Sequence, residues 1–397
     1  MIYVGIDVAS DKHDVYIADS ELKKLMSFQI GNDMEGFKKL LACVEQCKKR
    51  CNEQDVRIGL ESTCVYAENI LKFLSDNFRD VVYINPILTS MFEQSQSIHY
   101  AKTDKIDAQG ICKFVSSNPE LRTYTPLSYH DRQIRTLSRE IAKLTCEINK
   151  ASNSYQARMH QAFPEFLVRY GTKISKRNAA ILKRFPTPQS IKAVSAKKIS
   201  KAVSKEDYIS FSMDEAKELK ELAEKSVGVY DDSMECMISL EVERLELMYR
   251  QKDVLIKKVK ELIEKNYPKL AAIKGAGAVC LSGIVGEIGN IANFKSSDEL
   301  VAYAGLNPVV YQSGKYNANK TAISKKGSHY LRNALVTLAR MMVRYKDEVM
   351  LRFFEKKRSE GKPYWCCLNH CARKLCNILF TLLKKDVEYI PSYVPNK

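Results

Sequence analysis

Met1-Ile2-Tyr3-Val4-Gly5-Ile6-Asp7-Val8-Ala9-Ser10-Asp11-Lys12-His13-Asp14-Val15-Tyr16-Ile17-Ala18 opens the chain with two apolar runs, Ile2 to Asp7 and His13 to Ala18, parted by the turn residues Ala9-Ser10-Asp11-Lys12. A third run, Leu25 to Ile30, follows Asp19-Ser20-Glu21, so the spacing predicts an antiparallel meander of three short strands. Working outward, helical periodicity covers Met34 to Arg50, Tyr66 to Asn77 and Lys105 to Ser116, with strand-like runs at Val56 to Glu61 and Val81 to Ile84. Three hairpin strands followed by alternating helix and strand specify a mixed sheet with helices on its faces, an α/β layer.

That order is the ribonuclease-H-like one, and it assigns residues 1–128 to an α/β domain of this class. Residues 129–265 change character. Ile134, Leu137, Ile141, Leu144 and Ile148 recur at spacings of three and four, as do Ile238, Val242, Leu245, Tyr249, Lys252, Ile256, Val259 and Ile263. Two such heptad seams predict a pair of long helices in an antiparallel coiled-coil arm. Phe185-Pro186-Thr187-Pro188 and the Lys-rich stretch Ile191 to Lys205 form a small basic insert at its cap. Residues 266–397 read as a mainly α domain with a glycine hairpin at Gly275 and Gly277, a capped helix start at Phe294 to Leu300, and a helix from Ser328 to about Tyr345.

The 397 residues carry 63 Lys and Arg against 47 Asp and Glu, a formal charge of +16, which favours a polyanionic partner over a merely solubilising surface once the motifs are added. Apolar residues at 45% and charged residues at 28% exclude disorder and fibrous repeats. No apolar run reaches membrane-spanning length, and no secretory leader opens the sequence. The 12 cysteines include no CxxC pair, so Cys43, Cys47 and Cys51, and Cys366, Cys367, Cys371 and Cys376, read as reduced, half-buried helix residues of a cytoplasmic protein.

Four acids stand where such a sheet gathers function: Asp7 ends the first strand, Glu61 the fourth, and Asp104 and Asp107 lie on one face at a helix start. Each alone suits a turn or a cap. Together they would repel one another unless a cation intervened, and hard oxygen ligands select Mg²⁺ or Mn²⁺. Two such ions would activate one oxygen and stabilise another in phosphodiester displacement. Gly5-Ile6-Asp7-Val8-Ala9-Ser10 would also suit an actin-like sugar kinase, but that fold needs a second half of the same kind, and residues 129–265 are helical.

With Glu61-Ser62-Thr63-Cys64-Val65-Tyr66 and Lys102-Thr103-Asp104-Lys105-Ile106-Asp107-Ala108, the chain resembles the DEDD transposases of the insertion-sequence-110 family, relatives in fold of RuvC resolvases and Piv invertases. Phe294-Lys295-Ser296, Ala302 to Pro308, Gln312-Ser313-Gly314 and Ile323-Ser324-Lys325-Lys326-Gly327 follow in the family's order, and the likeness is weakest in the helical middle. The resemblance implies a two-part site: a metal-binding tetrad of Asp7, Glu61, Asp104 and Asp107, and a nucleophilic serine matching Ser313. Serine is also common in a glycine-flanked turn for backbone reasons alone. Ser324, in a Lys-rich loop, is the rival, and Ser282 reads as packing. Gly275 and Gly277 offer either a tight turn or backbone amides for phosphate. Lys315, Lys320, Lys325, Lys326 and Arg332 surround the serine as candidate nucleic-acid contacts.

The resemblance further implies a recombinase that cuts and rejoins donor and target DNA through a phosphoserine. It would be guided by a structured noncoding RNA encoded with the element and would work as a dimer or tetramer. Two other functions compete: a Holliday-junction-type nuclease with water as nucleophile, and a non-catalytic nucleic-acid-binding protein.

Overall fold

The computed structural model describes residues 1–62, 66–96, 104–205, 209–308, 312–313, 316–317 and 322–391, with backbone alone at Gln96, Asp104, Lys105 and residues 312–313 and 316–317. The chain divides into two compact units, residues 1–126 and 127–397.

In the first unit β1 (Ile2–Val8), β2 (Lys12–Ala18) and β3 (Lys24–Gly31) form the expected antiparallel meander. β4 (Val56–Glu61) lies parallel to β1 and β5 (Asp80–Ile84) parallel to β4, giving the order β3-β2-β1-β4-β5. α1 (Met34–Cys51) and α2 (Ala67–Asn77) cover one face. There Ile2, Val4 and Ile6 of β1 and Ile58 and Leu60 of β4 meet Leu40, Val44, Ile70 and Leu74. The strand period of two puts Gly5 and Gly59 on the opposite face. A Cβ on Gly5 would stand 2.1 Å from the Ala108 carbonyl oxygen, and one on Gly59 2.3 Å from Val115 Cγ2. Glycine at both positions lets α4 (Asp104–Ser117) rest directly on the sheet. Between β5 and α4 lies α3 (Pro86–Gln96), a helix that sequence reading left out.

The second unit is helical. α5 (Tyr129–Ala162) is followed by α6 (Pro164–Tyr170), α7 (Lys176–Arg184), α8 (Pro188–Lys192), α9 (Ala196–Ser204), α10 (Met213–Glu224) and the long α11 (Asp232–Asn266). The α7 to α10 helices start where Ser175, Thr187, Ser195 and Ser212 each cap the third backbone N–H of the helix that follows. α5 and α11 run antiparallel. Tyr267, just past α11, donates to Asp131 at one end, and Arg158 donates to Glu241 at 3.0 Å at the other.

The seam between them serves two cores rather than one. Tyr155, Met159, Ile238, Val242 and Leu245 join Phe163, Phe166, Ile181 and Leu219 in a tip core. Ile134, Ile141, Val259 and Ile263 join the C-terminal helices in a base core. Those helices are α12 (Pro268–Ala271), α13 (Ala278–Ile288), α14 (Ser297–Tyr303), α15 (His329–Arg344), α16 (Glu348–Ser359) and α17 (Tyr364–Lys385). Ser296 and Ser328 cap α14 and α15 as their sequence suggests. β6 (Gln312–Ser313) and β7 (Tyr316–Asn317) pair as a short hairpin.

Leu144 and Leu245 are both buried in the tip core. Leu245→Asp or Leu144→Asp puts an unpaired carboxylate there, at a cost of about 4 kcal/mol or more. Urea unfolding followed by circular dichroism should show the lost midpoint, and a midpoint equal to wild type in both would remove the seam's structural role. Among the described residues every cysteine is a free thiol, and no helix is long and apolar enough to cross a membrane.

Candidate active site

The register Gly5↔Gly59 and Ile6↔Leu60 carries Asp7 and Glu61 to the same end of adjacent strands, on the face that α4 covers. α4 meets that face through Ala108 over Gly5, with Cys112 Sγ near the Tyr3 carbonyl, so the helix start lies toward Asp7. Asp107, one residue before Ala108, therefore shares this sheet end. Asp104 opens α4 one turn earlier, and its side chain lies outside the described residues. Among the described residues no three His, Cys, Asp or Glu side chains close into a metal-binding group. Three of the four acids share an end of the sheet without being drawn onto one point.

Two residues beside them escape sequence reading. Asp14 lies directly across from Asp7 in the antiparallel pair, hence on its face, and is 4% exposed. The Gln29 amide donates to both of its carboxylate oxygens, at 3.1 and 2.9 Å. Thr89, fully buried on α3, donates its hydroxyl to Glu61 and so orients that carboxylate. The signal for α3 was present in Asn85-Pro86: Asn85 Oδ1 accepts from the Ile87 amide at 3.0 Å, and proline suits the first helical position. An all-carboxylate donor set fits a hard divalent cation, which Asp7, Glu61, Asp107 and Asp104 would hold and which would relieve their mutual repulsion.

In the second unit Ser313 pairs through its backbone with Tyr316, and its side chain lies outside the described residues, as do Lys315 and Lys320. Two stretches that carry the resemblance are stapled together. Pro308 bridges Ile323, the Ser324 amide donates to the Asn307 carbonyl at 2.9 Å, and the Ser328 amide donates to the Tyr303 carbonyl at 2.8 Å. The Ser324 hydroxyl donates to Asn307 Oδ1 at 2.6 Å, which occupies its single proton. Lys325 and Lys326 are exposed, while Arg332 donates to the Ala304 carbonyl at 3.1 Å. Ser282 is buried and donates to the Val279 carbonyl at 2.9 Å. Gly275 has φ +87° and lies under Tyr345, so the turn itself demands glycine there. Gly277 caps α13 with open space beside it.

Glu287, 3% exposed, holds this region together and was not singled out from the sequence. Arg139 reaches it with Nε at 2.7 Å and Nη2 at 3.2 Å, and the Ser328 hydroxyl donates to it at 2.8 Å. Arg135 donates to the neighbouring Gly286 and Glu287 carbonyls. Burial pushes the Glu287 carboxyl upward, but the Arg139 and Ser328 hydrogen bonds and the arginine charges outweigh it and hold it below its ordinary value. A lowered carboxyl contributes stability above its unfolded pKa, about 4.3, and loses it as pH falls through the lower folded value. Glu287→Ala should destabilise by about 2 kcal/mol at neutral pH, from the lost charged hydrogen bonds, while the Arg139 left behind is 47% exposed and keeps its water. The gap from wild type should narrow below about pH 4, as melting curves across pH would record. A constant gap would mean the carboxylate charge contributes nothing.

A transposase family model of the DEDD insertion-sequence-110 type matches residues 4–164, and one described as the transposase IS116/IS110/IS902 family matches residues 267–355, together more than half of the chain. The 42 kDa protein of insertion element IS900 from Mycobacterium paratuberculosis is 21% identical, with 98% of each chain covered. The 44.8 kDa protein of insertion element IS116 from Streptomyces clavuligerus is 20% identical over 98% of this chain and 96% of its own. The transposase for insertion sequence element IS1328 of Yersinia enterocolitica is 25% identical over 72% and 70%. Among solved structures, T. thermophilus RuvC in complex with a Holliday junction substrate aligns with a TM-score of 0.25 and 12% identity, covering 31% of this chain and 99% of that one. With the acidic half and the serine-bearing half each matched to the same family, the chain belongs to the IS116/IS110/IS902 family and is a DNA transposase.

Proposed function

We propose that the chain is a site-specific recombinase that mobilises an insertion element by cutting and rejoining DNA strands through a phosphoserine. The observation that carries this reading is the shared sheet end of Asp7, Glu61 and Asp107, set by α4 resting on Gly5 and Gly59. The strand order supports a ribonuclease-H-like, RuvC-like first domain over residues 1–128. Residues 129–265 serve as the arm and 266–397 as the serine domain. Asp7, Glu61, Asp104 and Asp107 hold Mg²⁺ or Mn²⁺, two ions, and Thr89 orients Glu61.

The metal, when bound, supplies positive charge at the scissile phosphate and lowers the pKa of a coordinated oxygen. The Ser313 hydroxyl loses its proton as its Oγ forms a bond to phosphorus, the P–O bond to the sugar breaks, and the sugar oxygen leaves as a hydroxyl. The ester so formed keeps the phosphodiester's energy, and attack by a second strand's hydroxyl returns Ser313 to its starting state. Lys315, Lys320, Lys325, Lys326 and Arg332, with the amides at Gly275 and Gly277, contact the backbone of the nucleic acid. The net charge of +16 suits a polyanionic partner, and the family resemblance adds to the DNA a noncoding guide RNA whose pairing selects the sequence. Strand exchange between two duplexes calls for a dimer or tetramer, with the arm as the contact. The setting is cytoplasmic, at the nucleoid.

The test is to incubate the chain with Mg²⁺, labelled donor and target DNA and the flanking transcript, then denature. A detergent-stable protein–DNA adduct is expected. Cut DNA with no adduct would instead identify a hydrolytic nuclease, and binding without cutting a non-catalytic protein.

A further inference from the structure

α15 and α17 enclose a groove of about 310 Å³, and of its lining Arg332 alone figures among the backbone contacts proposed above. Arg332, Asn333, Thr337 and Arg340 line it from one face of α15, and Trp365 and Asn369, one turn apart, line it from the start of α17. Two aliphatic side chains complete the wall, and among the described residues no carboxylate does. Trp365 is the chain's single tryptophan and is 60% exposed, beside Tyr364 at a ring distance of 5.5 Å. An indole left in water at the rim of a cationic groove is a stacking surface awaiting a flat partner. The volume lies at the small end of ligand sites, about 300–1,000 Å³, and so admits one ring-bearing group and excludes a duplex.

We infer that this groove takes one unpaired nucleotide, its base stacked on Trp365, its edge met by Asn333, Thr337 or Asn369, and its phosphate held by Arg340. The asparagine amides carry both a donor and an acceptor, as a base edge requires. A base within a duplex has both faces covered by its neighbours, whereas an extruded or single-stranded one has a face to give. The inference rests on the nucleic-acid partner of the proposed function and deepens it by naming the form recognised, an unpaired nucleotide of DNA or RNA.

Trp365 is also the probe, since all tryptophan emission comes from this groove. The full chain is titrated with a short single-stranded DNA, the same strand as RNA, and the blunt duplex, at fixed salt. Single strands should quench the emission and the duplex should not. Trp365→Ala and Arg340→Ala should each weaken single-strand binding about tenfold by anisotropy, and Trp365→Phe should recover most of it. Duplex affinity should stay within about twofold, since it is set mainly by other cations. Quenching by RNA alone assigns the groove to an RNA nucleotide through its 2′-hydroxyl, and quenching by DNA alone to a displaced DNA strand. Absence of quenching by both, or unchanged single-strand affinity in both alanine variants, overturns the inference. So does an emission change that follows protein concentration alone, which would assign the groove to a second copy of the chain. Loss of the covalent adduct with quenching intact removes the recombinase reading and leaves the groove, and the reverse result removes the groove alone.

Discussion

Asp7→Asn and Asp107→Asn each lower DNA strand cleavage by about a thousandfold or more while nucleic-acid affinity stays near that of wild type. Each change removes one negative charge and replaces a carboxylate oxygen by an amide nitrogen of nearly equal size. The seat of α4 on the sheet does not depend on either carboxylate. α4 is seated by Ala108 against Gly5 and by Val115 against Gly59, and neither carboxylate takes part in those contacts. Relieving repulsion with Asp14 and Glu61 should leave the metal-free melting temperature unchanged or raise it. Cleavage rate, a Mg²⁺ titration and a melting curve on the same preparation separate the possibilities. A variant that cleaves at the wild-type rate with an unshifted Mg²⁺ requirement sinks the metal role of that residue.

Ser313→Ala is expected to eliminate the covalent adduct and all strand exchange, since the Ser313 Oγ is the atom proposed to conserve the bond energy. Metal and DNA affinity should remain, because one hydroxyl adds little to a surface dominated by lysine and arginine. Ser324→Ala is the matched control. Its hydroxyl serves Asn307, so the change should lower stability by about 1 kcal/mol and leave the adduct in place. Ser313→Cys keeps the size but offers a thiolate that Mg²⁺ binds poorly, so most activity should be lost. An adduct that survives Ser313→Ala and maps to Ser324 by mass spectrometry would relocate the nucleophile and leave the metal site standing.

The meander was legible because Ile2, Val4, Ile6, Val15 and Ile17 face one core with strict alternation, a pattern that only a strand satisfies. α3 was not, although Asn85-Pro86 announces it. Its large apolar residues Ile87, Leu88 and Met91 are exposed, and the helix turns the polar Thr89 and a half-buried Phe92 inward, so apolar periodicity has little to report. Asp7, Glu61, Asp104 and Asp107 could be picked out because each ends a strand or opens a helix. Asp14 could not, because its nearness to Asp7 exists only in the register of two strands. Glu287 was hidden differently. It follows the apolar run from Leu281, and its partners Arg139 and Ser328 lie far along the chain on either side. A buried ion pair of such separation leaves no local mark in sequence.

The two cores on the α5–α11 pair differ in how the chain reaches them during synthesis. The tip core closes within residues 144–248, a contiguous stretch, whereas the base core joins Ile134 to Leu382. Contacts local in sequence form early, and distant ones wait for their last member. On the ribosome the tip can therefore fold as α11 emerges. Ile134, Ile141, Val259 and Ile263 meet α13 and α15 first and wait for α17 to complete their cover, on the order of ten seconds after α11 at about 5–20 residues per second. A chain broken off before α17 would keep a tip that folds and a base core missing Cys371, Leu375, Cys376, Leu379 and Leu382, so the translated length decides how complete the core of the serine-bearing half becomes.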